Sequence, residues 1–380
     1  MNFDYAEDER LFRDSVRAFV RKECTPEFLR THDLEGKYPT DLMKKMAALG
    51  WFSAFTSEAD GGQGLGASYL AIMAEELSRA APSIASGYYI TIWGVLNIAL
   101  YGSQEQKDYY LPRVNAGEQN FSFSMTEPDA GSDAASLRAR AELDGDEWVI
   151  NGEKLFCTQA GAPNNTLIVC VRTDPSQTKH RGISLIFVPA DAPGVTLKRM
   201  SVMARRMLGT YEIHLDNVRV PKSSVLGEPN KGWEYITSHL ERERMCVAAS
   251  SVGNARQVLE DAVTYLKQRK QFGKSLSEFQ VIRHLAADLK TSIDCASLLT
   301  QKVAWMIDNK IPCNAEAAEA KLFATETLLK TALEGMRFMG GYGLTEEFGM
   351  ARAFRDAMGA VTGGGASNIQ REIISRAVFA

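Results

Sequence analysis

A glutamate in a charged helical stretch is the first candidate for chemistry in this chain. Glu243 lies in the run Leu240-Glu-Arg-Glu-Arg-Met245. A helical period puts on its face six residues that are mostly apolar or small: Ile236, His239, Leu240, Cys246, Val247 and Ser250. A carboxylate in such surroundings is partly desolvated, which raises its pKa and suits it to abstract a proton near neutral pH. The local pattern alone favours a solvated charge run from Glu241 to Arg244, so the catalytic interpretation needs further support.

Two loops rich in small residues are candidates for ligand binding. In Thr126-Glu-Pro-Asp-Ala-Gly-Ser-Asp133, a Thr hydroxyl, a tight Ala-Gly turn and Ser132 can bring donors close to a flat ring system. The alternative for this segment is an acidic turn with an N-cap serine. The glycine-rich loop 58–66 could cradle a phosphate, but no strand precedes it and no Lys-Ser/Thr pair follows. We predict that this second loop is a turn.

Composition excludes several classes of partner. The 43 Lys+Arg and 47 Asp+Glu residues are interspersed and give a net charge of −4, so nucleic acid is not an expected partner. Six cysteines occur without a C-x-x-C pair or a His cluster, which predicts reduced thiols and no metal site. The start of the chain lacks a signal-peptide pattern, and the apolar stretch 84–100 is interpreted as too short and too polar to span a bilayer. We therefore expect a cytoplasmic protein with no membrane partner.

The hydrophobic periodicity divides the chain into three parts. Helical spacing extends to about Glu118, short runs rich in Val, Ile, Phe and Trp follow, and long helical periods return from Gly232. This order predicts an α+β fold with an N-terminal all-α domain (1–119), a middle antiparallel β domain (120–230) and a C-terminal α domain (231–380). A cofactor cleft between these layers is a natural site.

Five segments, in a fixed order, resemble the acyl-CoA dehydrogenase family of flavoproteins. They are Thr126–Asp133, Lys154–Thr158, Arg269–Gly273 with Phe279-Gln280, Gly340–Gly343 and Ser367–Gln370. The resemblance covers essentially the whole chain. It implies an acyl-CoA dehydrogenase-like fold with a C-terminal four-helix-bundle-like domain, FAD as the cofactor and an acyl-CoA thioester as the substrate. It also implies an electron-transferring flavoprotein as the electron acceptor and a homotetramer.

The resemblance assigns contacts with FAD residue by residue. The implied set is Phe123, Met125, Thr126, Ser132, Phe156, Thr158, Arg269, Gln280, Arg337, Gly340, Gly341, Ser367 and Asn368. Phe156 and Cys157 stand where relatives usually have Trp and Ile, which keeps an aromatic wall but removes one N–H donor. Arg337 replaces a usual glutamine, and its guanidinium can pair with a phosphate. Ala366 replaces a usual threonine, so one hydroxyl is lost.

Two of these residues carry an implication about assembly. Arg269 resembles the arginine that reaches the cofactor's pyrophosphate in relatives, and Gln280 resembles its hydrogen-bonding neighbour. In relatives both act across a subunit interface.

The resemblance also decides between two positions for the base. Many family members carry the catalytic glutamate in the C-terminal segment, where this chain has Gly364. A second group, similar to isovaleryl-CoA and long-chain acyl-CoA dehydrogenases and crotonobetainyl-CoA reductase, carries it before an arginine on an upstream helix. Glu243-Arg244 matches that pair, so the resemblance assigns Glu243 as the α-proton base. The implied substrate-binding residues are Ser132, Glu241, Arg244 and Gly365, of which Glu241 and Arg244 match the family's CoA-contacting Asp-x-x-Arg pair.

The implied reaction is α,β-dehydrogenation to a trans-2-enoyl-CoA, and alternatives stay open. The substrate could be an acyl or prolyl thioester on a carrier protein, or the enzyme could reduce enoyl-CoA in the reverse direction. An inactive assembly subunit and a flavin monooxygenase are disfavoured because Glu243 is present. Tyr88, Tyr89, Ile92 and Trp93 are predicted to line the acyl pocket.

Overall fold

Residues 4–380 are described by a computed structural model. Its N-terminal part contains six helices: α1 (Glu7–Glu23), α2 (Pro26–Glu35), α3 (Thr40–Ala48), α4 (Ala67–Ala80), α5 (Pro82–Tyr101) and α6 (Gln104–Asn115). Side-chain caps stabilise the start of two of these helices. The Thr25 side chain accepts a hydrogen bond from the Phe28 N–H at the start of α2, and Ser103 with Gln106 forms a capping box at α6.

Helix α5 is unusually apolar. It has 20 residues and a mean hydropathy of 1.3, so length and composition alone would allow it to cross a membrane. This differs from the expectation for the stretch 84–100, because the helix extends further at both ends. However, 72% of its apolar window is buried inside the protein, where α5 packs against α4, α6 and α7. Burial between neighbouring helices accounts for its composition.

A seven-stranded sheet forms the middle of the chain. Its strands are β1 (Asn120–Ser124), β2 (Arg140–Asp144), β3 (Glu147–Thr158), β4 (Asn165–Arg172), β5 (Ile183–Pro189), β6 (Val195–Arg199) and β7 (Thr210–Pro221). The pairs β2–β3, β3–β7, β4–β5 and β6–β7 are antiparallel, as predicted. The prediction is wrong for two pairs: β1 runs parallel to β4 with Asn120 opposite Asn165, and β2 also pairs with β4 in parallel at Arg140 and Arg172. A parallel pair needs a long crossover, and the segment that carries β2 and β3 supplies it.

The C-terminal part is helical again. It contains α7 (Gly232–Gln268), a short hairpin of β8 (Lys270–Gln271) and β9 (Lys274–Ser275), then α8 (Gln280–Asp308), α9 (Asn314–Met339), α10 (Met350–Thr362) and α11 (Ser367–Val378). Helices α7, α8 and α9 pack against one another, while α10 and α11 pack on α9. The predicted α+β class, a sheet between two helical parts, is confirmed.

The two helical parts share one core, whereas the strands also bury a second core of their own. Helix α7 joins the helical parts because it packs closely on α4. A Cβ on Gly253 would lie only 1.9 Å from the Glu75 carbonyl oxygen, so this crossing requires a glycine. Helix α7 also packs against α5 and α9.

Candidate active site

Glu243 lies on α7 beside a cavity of about 60 Å³. The other lining residues are mostly apolar: Leu70, Tyr89, Ile90, Ile92, Trp93, Leu96, Phe123, His239, Arg242 and Cys246. The side chain of Glu243 is half-buried. Removal from water raises the pKa of Glu243, and the positive charges of Arg244, Lys321 and Arg205 oppose that rise without cancelling it.

The glycine run after α10 approaches the same carboxylate. A Cβ built on Gly364 would lie 3.5 Å from Oε1 of Glu243 and 3.4 Å from Cγ2 of Val247. The upstream glutamate and the C-terminal glycine position therefore point into one space. Gly364 has a φ of +64°, a left-handed conformation that glycine adopts without strain.

Two buried side chains that sequence reasoning missed hold this glycine run. Lys321 Nζ donates to the Gly365 carbonyl at 2.8 Å, and Gln370 Nε2 donates to the Gly365 and Gly364 carbonyls at 2.9 and 3.2 Å. The Gly365 carbonyl is thus already engaged. Burial, reinforced by Arg205, lowers the pKa of Lys321 to about 8. The sequence signal that could have indicated Lys321 is its position, as a lysine, on the buried face of the Ala-rich helix α9.

The Thr126–Asp133 loop lies beside β3. The Leu155 N–H donates to the Thr126 carbonyl at 2.8 Å, which brings Thr126 next to Phe156 and Thr158. Both threonines are half-buried, and Phe156 is 58% exposed with a left-handed φ of 56°. Ser132, on the same loop, is exposed. Together they form an accessible edge with hydroxyl groups and an aromatic side chain.

A buried ion pair, also missed, fixes this edge. Lys154 is fully buried, and its Nζ donates to Glu127 Oε1 at 2.7 Å and to the Met125 carbonyl at 3.2 Å. Glu127 also accepts from the backbone N–H groups of Arg138 and Ala139 at 2.6 and 3.0 Å. Both charged residues belong to the motif segments, but their pairing across the chain could not be deduced from spacing.

Glu241 and Arg244 lie at the junction of α7 with α9. Glu241 Oε1 accepts from the Cys313 N–H at 3.0 Å, and Arg244 donates to Asn314 Oδ1 at 2.6 Å. Arg244 is buried, its Nε has no hydrogen-bond partner among residues 4–380, and desolvation lowers its pKa. The Nε of Arg244 is therefore an unpaired hydrogen-bond donor on the residue that directly follows Glu243.

Three family profiles match the chain in order. They describe the N-terminal, middle and C-terminal domains of acyl-CoA dehydrogenase and match residues 6–118, 122–218 and 230–379. The chain belongs to the acyl-CoA dehydrogenase family.

Individual relatives agree over nearly the full length. The probable acyl-CoA dehydrogenase YngJ of Bacillus subtilis is 36% identical over 378 residues, which covers 99% of each chain. Subunit CarC of the caffeyl-CoA reductase-Etf complex of Acetobacterium woodii is 33% identical and covers 98% of each chain. The structure of PigA with FAD and proline has a TM-score of 0.94 and 26% identity, covering 100% of this chain and 99% of that one.

As an acyl-CoA dehydrogenase family member, the chain is an oxidoreductase whose cofactor is FAD, as the resemblance implied. The residues present fit this cofactor. Arg269, Arg337, Gly340 and Gly341 line a cavity of about 450 Å³. A Cβ on either glycine would meet no atom within 4 Å, so the backbone is open to a ligand. Two guanidinium groups suit the charge of a pyrophosphate.

Within one chain, this arginine-glycine cavity lies far from Glu243. Arg269 follows the last residue of α7, so roughly 40 Å of helix separates it from Glu243 at 1.5 Å per residue. Gln280 begins α8 and is exposed. One chain therefore brings the base, the glycine run and Phe123, which precedes the Thr126 loop, together in one region, and Arg269 with Arg337 in another.

The remaining predicted residues have mixed outcomes. Ser367 Oγ donates to Glu326 Oε1 at 2.8 Å, and the exposed Asn368 accepts from Arg371 at 3.3 Å. Tyr89, Ile92 and Trp93 line the cavity beside Glu243, and their contact with an acyl chain stays a prediction, whereas Tyr88 does not line it. Tyr88 is fully buried, and its hydroxyl donates to the Trp51 carbonyl at 2.6 Å, so it belongs to the core.

Proposed function

We propose that this protein catalyses FAD-dependent α,β-dehydrogenation of an acyl-CoA thioester to the trans-2-enoyl-CoA, with Glu243 as the base. The observation that carries the proposal is the approach of Gly364 to Glu243. A carboxylate at either position would serve the same space, and in this chain only Glu243 supplies one.

The side chains divide the work as follows. Glu243 removes the α-proton, and its raised pKa suits it to hold that proton near neutral pH. The nearby cations Arg205, Lys321 and Arg244 stabilise the negative charge that develops when the α-proton leaves. Bound FAD supplies the hydride-accepting chemistry for the β-hydrogen.

We assign the other predicted contacts to binding. Thr126, Phe156 and Thr158 offer hydroxyl groups and a ring to the isoalloxazine, and Ser132 offers a hydroxyl to the flavin and the substrate. Arg244 and Glu241 orient the CoA portion at the α7–α9 junction.

The test is anaerobic bleaching of the bound flavin by saturated acyl-CoAs. Glu243→Gln keeps the side-chain volume but removes the base. We therefore expect FAD to stay bound and the bleaching rate to fall by about 10²- to 10⁴-fold. Glu234→Gln is the matched control, because Glu234 is exposed on the same helix and pairs only with Lys231 among the described residues. Retained turnover in Glu243→Gln would overturn the assignment.

Reduction of enoyl-CoA is the second candidate, favoured by the 33% identity with a caffeyl-CoA reductase complex subunit. The same residues would act in reverse. Anaerobic reoxidation of the reduced protein by an enoyl-CoA, faster than bleaching by the saturated partner, would support this direction.

A carrier-protein prolyl thioester is the remaining alternative, since PigA binds FAD and proline. Bleaching only by a phosphopantetheinyl protein would select it.

We further propose a cytoplasmic homotetramer that exchanges electrons with an electron-transferring flavoprotein. The partner is suggested by the Etf complex to which CarC belongs. Self-association is supported by large exposed apolar side chains near Arg269 and the Gly340 loop, namely Phe272, Val281 and Leu344, exposed by 93, 74 and 70%. A second copy that covers them would also bring Arg269 to its neighbour's FAD.

A further inference from the structure

The cavity beside Glu243 contains polar side chains without partners. His239 is fully buried, and neither of its ring nitrogens has a hydrogen bond to any residue in the described range 4–380. The buried Trp93 Nε1 also lacks a partner there. Both residues line the cavity, and their ring centroids are 6.0 Å apart. A purely hydrocarbon acyl chain would leave all three nitrogens unpaired, at a cost of roughly 1–3 kcal/mol for each group.

The unpaired imidazole belongs to the same helix as the base. His239 precedes Glu243 by four residues on α7, which is about one turn, or 6 Å along the helix axis. The Trp93 ring packs against the Phe123 ring, with the two centroids 4.1 Å apart. A polar group that meets His239 and Trp93 would therefore lie further along the acyl chain than the α-carbon, about one turn of α7 from Glu243.

The hydrogen-bonding capacity of this pair selects the partner. Burial, aided by the positive charge of Arg242, lowers the pKa of His239 to about 3, so the imidazole is neutral. It then offers one donor and one acceptor, and the Trp93 indole adds a donor. A hydroxyl both donates and accepts, so it can bond one imidazole nitrogen and the indole N–H at the same time. A carboxylate could accept from the indole and from an imidazole N–H, but it would bring a second negative charge beside Glu243 into a cavity whose walls are mostly apolar.

We infer that the acyl substrate carries a hydroxyl toward the far end of its chain, which His239 and Trp93 recognise. This inference rests on the proposed function, because it takes the cavity to be the acyl site. The hydroxyl could be aliphatic or phenolic, since the cavity walls are both aliphatic and aromatic.

The test measures binding without chemistry, in the Glu243→Gln protein loaded with FAD. Calorimetry compares two matched pairs of CoA thioesters: 6-hydroxyhexanoyl with hexanoyl, and 3-(4-hydroxyphenyl)propanoyl with 3-phenylpropanoyl. We expect the hydroxyl to tighten Kd by about 10- to 100-fold in at least one pair. The pair that responds identifies the aliphatic or the phenolic source. Adipoyl-CoA serves as the carboxylate competitor.

Variants connect the preference to the two side chains. His239→Leu should bring the Kd ratio close to one, and Trp93→Phe, which keeps the ring but loses the N–H, should reduce it. Ile90→Val, in the same cavity wall, should leave the ratio unchanged. Equal Kd values within both pairs, a ratio that survives both substitutions, or tighter binding of adipoyl-CoA would each overturn the inference.

The two proposals fail separately. If the hydroxylated thioesters bind preferentially but none bleaches the flavin of the unmodified protein, the proposed dehydrogenation is contradicted and the hydroxyl-recognition site is supported. If both members of each pair bind equally and bleach equally, dehydrogenation stands and the hydroxyl site falls.

Discussion

At the scale of single residues, Glu243 combines burial with nearby positive charge. Arg244, Lys321 and Arg205 limit the rise in its pKa, but desolvation outweighs them. The protein thus maintains a carboxylate that is less stable in its ionised form than it would be in water. This energetic cost is typical of groups that act on protons.

The raised pKa has a testable consequence for stability. A folded carboxyl with a raised pKa holds its proton more tightly than the unfolded chain does, so its contribution is present below the ordinary value of 4.5 and is lost as pH rises through the native pKa. We therefore expect Glu243→Gln to raise the melting temperature at about pH 7.5 and to change it little near pH 4.5. Thermal melts at both pH values, with Glu234→Gln as the control, measure this. A Gln variant that is less stable than the parent at about pH 7.5 would contradict the raised pKa.

At the scale of elements, the glycine run and α7 offer two places for one carboxylate. We expect Glu243→Ala/Gly364→Glu to recover part of the flavin bleaching that Glu243→Ala loses, because the alanine frees space next to residue 364. The left-handed φ should cost about 1–2 kcal/mol of stability. Bleaching rates and thermal melts of the unmodified protein, Glu243→Ala and Glu243→Ala/Gly364→Glu test this. A double variant that retains FAD and folds, yet does not bleach, would show that the positions do not converge.

The buried pair Glu127–Lys154 ties the Thr126 loop to β3. Lys154→Met leaves Glu127 buried without its cation, so we expect a loss of about 3–5 kcal/mol in unfolding free energy and weaker FAD retention. Glu127→Gln/Lys154→Met should recover much of that loss. Arg219→Met breaks exposed pairs with Asp144 and Glu147 on the same sheet and should cost about 1 kcal/mol or less. Denaturant titrations give all three values, and equal losses for Lys154→Met and Arg219→Met would exclude a structural role for the buried pair.

The order of elements could be predicted from periodicity because apolar spacing reports which face of each helix or strand is buried. The parallel pairing of β1 with β4 could not, because it depends on a connection across other strands. In the site, the position of Glu243 on a mostly apolar face was readable from the helical period. Lys321 and Lys154 were not, because their hydrogen-bond partners lie 27 to 44 residues away in sequence. Gln370 was not, because its bonds to the Gly364 and Gly365 carbonyls depend on the left-handed turn of these glycines. Tyr88 was wrongly assigned to the cavity, because of the two adjacent tyrosines only Tyr89 lines it.

At the scale of the whole molecule, the two helical parts act as one body through α7. This helix contacts α4 and α5 of the N-terminal part and α8 and α9 of the C-terminal part. The cavity beside Glu243 and the Arg269 region lie along the same helix, so the length of α7 sets their separation within a chain.

The long reach of α7 implies that two defective chains could repair one another. Under the proposed assembly, a chain with Glu243→Gln still lends Arg269 to its neighbour, and a chain with Arg269→Glu still has its own base. Mixed in one dimer, they would form one intact centre and one doubly damaged centre. We expect co-expression of the two variants to recover up to about half of the activity per mixed dimer, although each alone is nearly inactive. Purified mixed oligomers with no activity above either parent would mean that each chain completes its own FAD site.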